Sequence, residues 1–188
     1  NVPLTERVWV SLFQSVTPRT AGFNTADLTL LSEVGQMLII ILMLIGGSPG
    51  STAGGMKTTT LAVLVSSALS VFRKKEHTHF FGRRIPDDTI KNAATIFLMY
   101  IVLFLVGGMV ISSTEDIPLM TALFETASAI GTVGLSLGIT PDLGLVSHII
   151  LICLMFLGRV GGLTLIFATL SEKKLNGSKY PQEKITVG

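Results

Sequence analysis

The chain has 188 residues, of which 48% are hydrophobic and only 14% charged, where an ordinary soluble domain carries roughly 25% charged residues. This length can bury a core in water, but the charged surface needed to cover it is missing. The formal net charge of +2 is too small to suggest a nucleic-acid-binding surface, and one cysteine, Cys153, excludes an intrachain disulfide and any multi-cysteine metal site. The start, Asn1-Val2-Pro3, lacks an initiator Met and the basic and cleavage regions of a signal peptide, and so reads as a fragment or processed piece.

In chain order, the first predicted element is a short amphipathic helix over 7–17. From 34 to 72 the only charge is Lys57. One helix running from 28 to 72 would approach about 65 Å, about twice what a bilayer needs. It must break, and the break is GGSPGSTAGG: Gly46, Gly47, Ser48, Pro49, Gly50, Ser51, Thr52, Ala53, Gly54 and Gly55. Irregular backbone at membrane depth is tolerated only where protein or a water-filled cavity satisfies its polar groups. The sequence therefore predicts a helix over 28–45, a loop near 46–56 and a second helix over 57–72. Lys57 reads as a helix-start lysine satisfied by nearby carbonyls or water.

A basic segment, 73–91, follows, with Arg73, Lys74, Lys75, Arg83, Arg84 and Lys91. Its His77 and His79 read as part of a solvated loop. From 92 to 114 nothing is charged, which predicts a membrane-spanning helix over 92–112. A second short helix is predicted over 118–130. From 143 to 171 the only charge is Arg159, and a helix of that extent, about 43 Å, crosses with tilt. Cys153 and the glycines at 107–108 and 161–162 read as small residues that permit close packing. Ten of the fourteen Lys and Arg lie in 73–91 and in the tail, at Lys173, Lys174, Lys179 and Lys184. That asymmetry places both segments on the cytoplasmic side.

The chain also repeats. Thr20-Ala21-Gly22-Phe23 has its counterpart in Thr132-Val133-Gly134-Leu135, and each is preceded by a short helix containing Leu-Phe-Gln or Leu-Phe-Glu. From Gly22 to Gly46 is 24 positions, and from Gly134 to Gly158 again 24. The unit is an outer helix, a re-entrant short helix, a Thr-x-Gly-apolar loop and a second spanning helix. To strip water from a cation, a pore must replace the hydration shell with oxygens, and backbone carbonyls do so without a fixed charge. Glycine allows the unusual backbone angles, and a short helix aiming its negative C-terminal end at the ion favours the dehydrated state. Glu125 aligns with Gln14; a hydrogen-bonded structural role and attraction of cations are both open to it.

Thr132-Val133-Gly134 is similar to the filter of potassium channels, with one Gly in place of their Gly-Tyr-Gly run. The wider set, SVTPRTAGFNT, GGSPGSTAGGMKTTT, SAIGTVGLS and GRVGGLTLI, closely resembles the Trk/Ktr/HKT superfamily of potassium transporters. The ending YPQEKITVG is most similar to the Ktr-type translocating subunit. The resemblance spans essentially the whole chain and matches the C-terminal part of that family, whose members arrange four membrane helix–pore loop–membrane helix repeats around one pore.

The resemblance implies an all-α membrane protein with one spanning helix broken by a Gly-rich intramembrane loop. Residues 1–72 would be the third repeat without its first helix and 92–171 the fourth, joined by the cytoplasmic linker 73–91 and followed by a cytoplasmic tail, 172–188. It implies that Thr20, Ala21, Gly22 and Phe23 form one quarter of a selectivity filter and Thr132, Val133, Gly134 and Leu135 another. Gly46–Gly55 would be a gate loop beneath the filter, faced by Arg159, which could instead pin two helices together. Potassium would be the transported ion and sodium an activator or coupled ion, with no cofactor. The implied partners are membrane lipid, an N-terminal half carrying the first two repeats, a second copy in a homodimer, and a cytosolic ring of nucleotide-binding regulatory subunits; nucleic acid is not among them. The implied location is the plasma membrane, a prokaryotic inner membrane, crossed several times with the C-terminus in the cytoplasm.

No Ser/His/Asp set, paired carboxylates or metal cluster marks an enzyme. A nucleotide loop at 50–58 is excluded because Met56 separates Gly55 from Lys57, where the phosphate-binding pattern needs Gly-Lys-Ser/Thr contiguous. Two other readings stay open from the residues: a two-repeat channel subunit that pairs with an identical chain, and a non-conducting membrane module that docks a cytosolic partner.

Overall fold

The computed structural model describes residues 4–75 and 77–161. Among the described residues six helices carry the fold: α1 (Leu4–Val16), α2 (Glu33–Leu44), α3 (Thr58–Phe72), α4 (Asp87–Glu115), α5 (Leu119–Ile130) and α6 (Leu145–Val160). Short 3-10 turns at Leu28–Leu30 and Thr140–Asp142 precede α2 and α6. At 29 residues, α4 is long and apolar enough to cross a membrane by itself, spanning about 43 Å. The other apolar helices are shorter.

Several boundaries differ from the sequence expectation. The helix expected over 28–45 is divided, because Asp27 accepts from Thr29 N and closes the 3-10 turn. Ser32 then accepts from Gly35 N at 3.3 Å and starts α2 afresh, with Glu33 in its first turn. The 73–91 segment is not wholly irregular: β1 (His79–Phe80) pairs antiparallel with β2 (Arg83–Arg84), His79 opposite Arg84. Helix α4 begins within that segment, where Pro86 at φ −62° leads into Asp87 and Asp88 of the first turn. At the other end, α6 is interrupted after Val160, where Gly161 has φ +83°. Gly161 directly follows the last residue of α6, and among the described residues nothing lies within 4 Å of where its Cβ would be. Gly162 and the rest of the expected span lie outside the described residues. Cys153 is exposed on α6 rather than packed.

The core forms around α5. Its Ala122, Phe124, Glu125, Thr126, Ala127, Ser128, Ala129 and Ile130 are all buried, packed by α2, α4 and α6. Ile40 and Met43 of α2, Tyr100 and Phe104 of α4, and Leu151 and Leu154 of α6 complete the cluster. The outward faces stay apolar: Trp9 is 69% exposed, Leu98 63% and Phe156 63%. Such a surface suits lipid, and in lipid helices associate through close packing rather than through water exclusion. Glycines supply the closeness. A Cβ at Gly108 would press on Leu123 of α5, one at Gly107 would sit 3.0 Å from Leu154 Cδ1 of α6, and one at Gly158 would fall on the Ile130 carbonyl oxygen.

Gly158→Ala therefore forces backbone against backbone, and we expect it to cost about 3 kcal/mol or more, at the upper end of overpacking penalties. Gly35→Ala, whose Cβ would meet its nearest neighbour at an ordinary 3.5 Å, should instead be neutral or slightly stabilising. Thermal unfolding of both variants in detergent checks the contrast.

Candidate functional site

Two bends and one loop meet where α5 ends. In the first bend Thr20 has φ +67° and Gly22 φ +74°; in the second Thr132 has φ +51° and Gly134 φ +90°. The intervening Ala21 and Val133 keep negative φ. The left-handed region is costly for threonine, so its use at the same place in both bends marks a conformation held by its surroundings. The offset that carries Thr20 onto Thr132 continues downstream. It carries the 3-10 turn at Leu28 onto that at Thr140, and the start of α2 at Glu33 onto the start of α6 at Leu145.

The bends touch each other. Thr20 Oγ1 donates to the Gly131 carbonyl at 3.4 Å, and a Cβ on Gly22 would collide with the Val133 carbonyl oxygen. Each is pinned to the helix before it. In the first, Thr17 Oγ1 donates to the Phe23 carbonyl at 2.5 Å. In the second, Ser128 Oγ accepts from Gly134 N at 3.2 Å. The fourth residues diverge, since Phe23 is exposed and Leu135 buried.

A second layer of bonds braces the chain after each bend. Gln14 Nε2 donates to Asn24 Oδ1 at 3.0 Å. At the place matched by the Leu-Phe-Gln and Leu-Phe-Glu tripeptides, Glu125 Oε1 accepts from Ser136 Oγ at 2.7 Å and from Leu137 N at 3.0 Å, and Oε2 accepts from Thr140 Oγ1 at 2.8 Å. Asn24 and Ser136 are again equivalent positions, each two residues past its bend's glycine. Sequence reasoning aligned Gln14 with Glu125 but missed Asn24, Ser136 and Thr140; carrying the repeat two residues past each glycine would have found the first two. A cavity of about 370 Å³ beside this second bend is lined by Glu125, Thr132, Gly134, Leu151 and Met155, among others.

The glycine-rich loop closes against the second bend. Its ends are stitched where the helix breaks: Gly46 N donates to Met56 O at 2.7 Å, Met56 N to Leu44 O at 3.1 Å and Thr58 N to Gly47 O at 3.2 Å. At the far side Gly54 N donates to Thr132 Oγ1 at 3.1 Å. A side chain on Gly54 would occupy the space of Thr132, and one on Gly131 would press on the Met43 carbonyl. Lys57 Nζ holds the loop interior, donating to Ser51 O at 2.9 Å and Ala53 O at 2.8 Å. Two loop carbonyls, those of Ser51 and Ala53, thus accept from Lys57, and among the described residues none accepts from Arg159. Arg159 is exposed and lines a cavity of about 470 Å³ with Pro49, Ala53, Lys57, Thr60 and Tyr100, among others. Among the described residues no cluster of His, Cys, Asp and Glu could hold a metal ion.

Lys57→Met removes both side-chain bonds while keeping the length of the stem. We expect amide exchange within 48–56 to accelerate by roughly tenfold or more, the equivalent of one or two hydrogen bonds, with α2 and α4 unchanged. Hydrogen exchange read by mass spectrometry makes the test.

A family profile described as TrkH, cation transport protein, matches residues 1–178. The chain is 43% identical over 190 residues to the potassium/sodium uptake protein NtpJ of Enterococcus hirae, an alignment covering 98% of this chain and 42% of that protein. It is 37% identical over 188 residues to the Ktr system potassium uptake protein B of Bacillus subtilis, covering 100% of this chain and 42% of the relative. The crystal structure of the potassium transporter TrkH from Vibrio parahaemolyticus superposes with a TM-score of 0.75 at 22% identity, over 90% of this chain and 38% of that one. The chain therefore spans about 42% of the length of these two relatives.

Proposed function

The chain belongs to the TrkH family of cation transport proteins, and from that premise we propose that it forms part of the conduction path of a potassium-transporting, multi-pass membrane protein. Members of this family are transporters, not enzymes. In this reading the carbonyls of Thr20, Ala21, Gly22 and Phe23 and those of Thr132, Val133, Gly134 and Leu135 line two quarters of a selectivity filter. The rest of a longer polypeptide, carrying two further repeats, supplies the other quarters.

One observation carries the reading: the left-handed backbone at Thr and at Gly recurs in both bends at the same spacing. When left- and right-handed residues alternate, successive carbonyls can be turned to one side, and a row of carbonyls replaces the water of a monovalent cation. The end of α5 at Ile130 lies directly before the second bend, so the negative pole of a helix adds to the attraction. The loop Gly46–Gly55 serves as the gate: it lies against Thr132, is built of small residues, and is held shut by Lys57, with Arg159 lining the cavity at its edge.

Potassium is the cargo, and sodium acts as activator or coupled ion; the Enterococcus relative is named for uptake of both. The basic segment 73–91 and the C-terminal tail face the cytoplasm of a prokaryotic cell, where a ring of nucleotide-binding regulatory subunits docks. Two copies pair in the plasma membrane, surrounded by lipid.

Gly134 gives the sharpest test. No atom lies within 4 Å of where its Cβ would be, so Gly134→Ala strains the bend by about 1–2 kcal/mol without a clash. Expressed as the full-length polypeptide in cells lacking their own potassium uptake, the variant should need about tenfold more potassium for growth. Growth equal to wild type at limiting potassium overturns the reading. Arg159→Ala should raise the maximal uptake rate about twofold or more while leaving expression unchanged, measured as rubidium influx.

A further inference from the structure

Glu125 is buried, 4% exposed, on a helix whose other buried residues are apolar, small or hydroxyl-bearing. A carboxyl group in such a place is costly unless its oxygens are occupied, and here both are. Ser136 Oγ and Leu137 N donate to one oxygen and Thr140 Oγ1 to the other. Ser136 Oγ also accepts from Gly138 N at 2.8 Å and lies 2.9 Å from Thr140 Oγ1. One side chain thus gathers the whole segment between Leu135 and the 3-10 turn at Thr140–Asp142. In the other bend the same place holds Gln14, which makes one bond, to Asn24, while its own Oε1 is buried without a partner among the described residues.

We propose that Glu125 is a positioning residue for ion discrimination. By clamping Ser136, Leu137 and Thr140 to the short helix, it fixes the carbonyls of Gly134 and Leu135 at a spacing that a larger ion fills and a smaller one does not. The proposal rests on the filter reading given above and deepens it. A rigid frame is needed because carbonyls free to close in would coordinate a smaller cation equally well. Behind the first bend Gln14 makes a single bond between neutral groups, so that bend is braced less from its short helix and discrimination depends mainly on the second. A glutamine at position 125 retains one acceptor oxygen but turns an NH₂ toward the Thr140 hydroxyl, which loosens the clamp without emptying the site.

The test uses the full-length transporter and compares Glu125→Gln, Ser136→Ala and Thr140→Val with wild type. The readout is the ratio of half-saturating sodium to half-saturating potassium concentrations for influx, normalised to protein in the membrane. The ratio should fall about tenfold in Glu125→Gln, the effect of one charge-assisted hydrogen bond felt by one ion and not the other. It should fall by a smaller factor in Ser136→Ala and Thr140→Val. Gln14→Ala should move it least. A wild-type ratio in all three variants of the clamp, with Gly134→Ala altering it, overturns the clamp alone. A wild-type ratio in Gly134→Ala as well overturns the filter reading beneath it.

Discussion

The Gly54 amide resting on the Thr132 hydroxyl is the contact on which the arrangement turns. It joins a stretch of broken helix to a bend of strained backbone. Irregular backbone away from water must find its partners within the protein, and here the buried end of the loop finds one in the bend. The small residues follow from that. A side chain on Gly54 would displace Thr132, and one on Gly131 would press on the last turn of α2. The glycine-rich composition of 46–55 is therefore a requirement of approach as much as of flexibility.

The two halves of the repeat are alike in backbone and unlike in setting. From the bends onward one constant offset holds through the 3-10 turns and the helix starts. Yet α5 is buried on nearly every side, whereas α1 has no buried residue. The difference lies in what precedes each: α5 follows α4 through a short turn and packs along Gly107 and Gly108, and α1 has no such neighbour among the described residues. One sequence pattern thus yields one local geometry in two environments, and the bracing differs to match, with three donors on Glu125 and one bond at Gln14.

Much of this was legible in the sequence because glycine and charge punctuate it strongly. The break after α2 follows from GGSPGSTAGG, and the bends follow from two Thr-x-Gly tripeptides at matching places in the repeat. Membership of a cation-transport family was also readable, from the same motifs. What could not be read depended on contacts between distant segments or on residues in uncharacteristic places. The hairpin of β1 and β2 turns through Phe81 at φ +46° and Gly82 at φ +76°; such a turn favours Asn or Asp at its first position, and the phenylalanine hid it inside a run of charge. The early start of α4 was hidden by the same run, since Asp87 and Asp88 resemble linker as much as a first helical turn. Lys57 was readable as a lysine at a helix start, but its choice of Ser51 and Ala53 depends on how the loop folds back.

The placement of α5 also bears on how the polypeptide acquires its tertiary structure. The contacts of α5 with α4 and α6 join neighbours in the sequence, whereas those with α2 link Met43 and Leu44 to a helix that ends at Ile130. On a ribosome adding roughly 5–20 residues per second, the last residue of α5 follows the last residue of α2 by about 4–17 s. Over that interval the break after α2 lacks its partner Thr132, and the face of α2 that α5 covers is unclaimed. Consolidation thus lags synthesis in this bundle: the break after α2 is sealed only once α5 and the bend that follows it have been made.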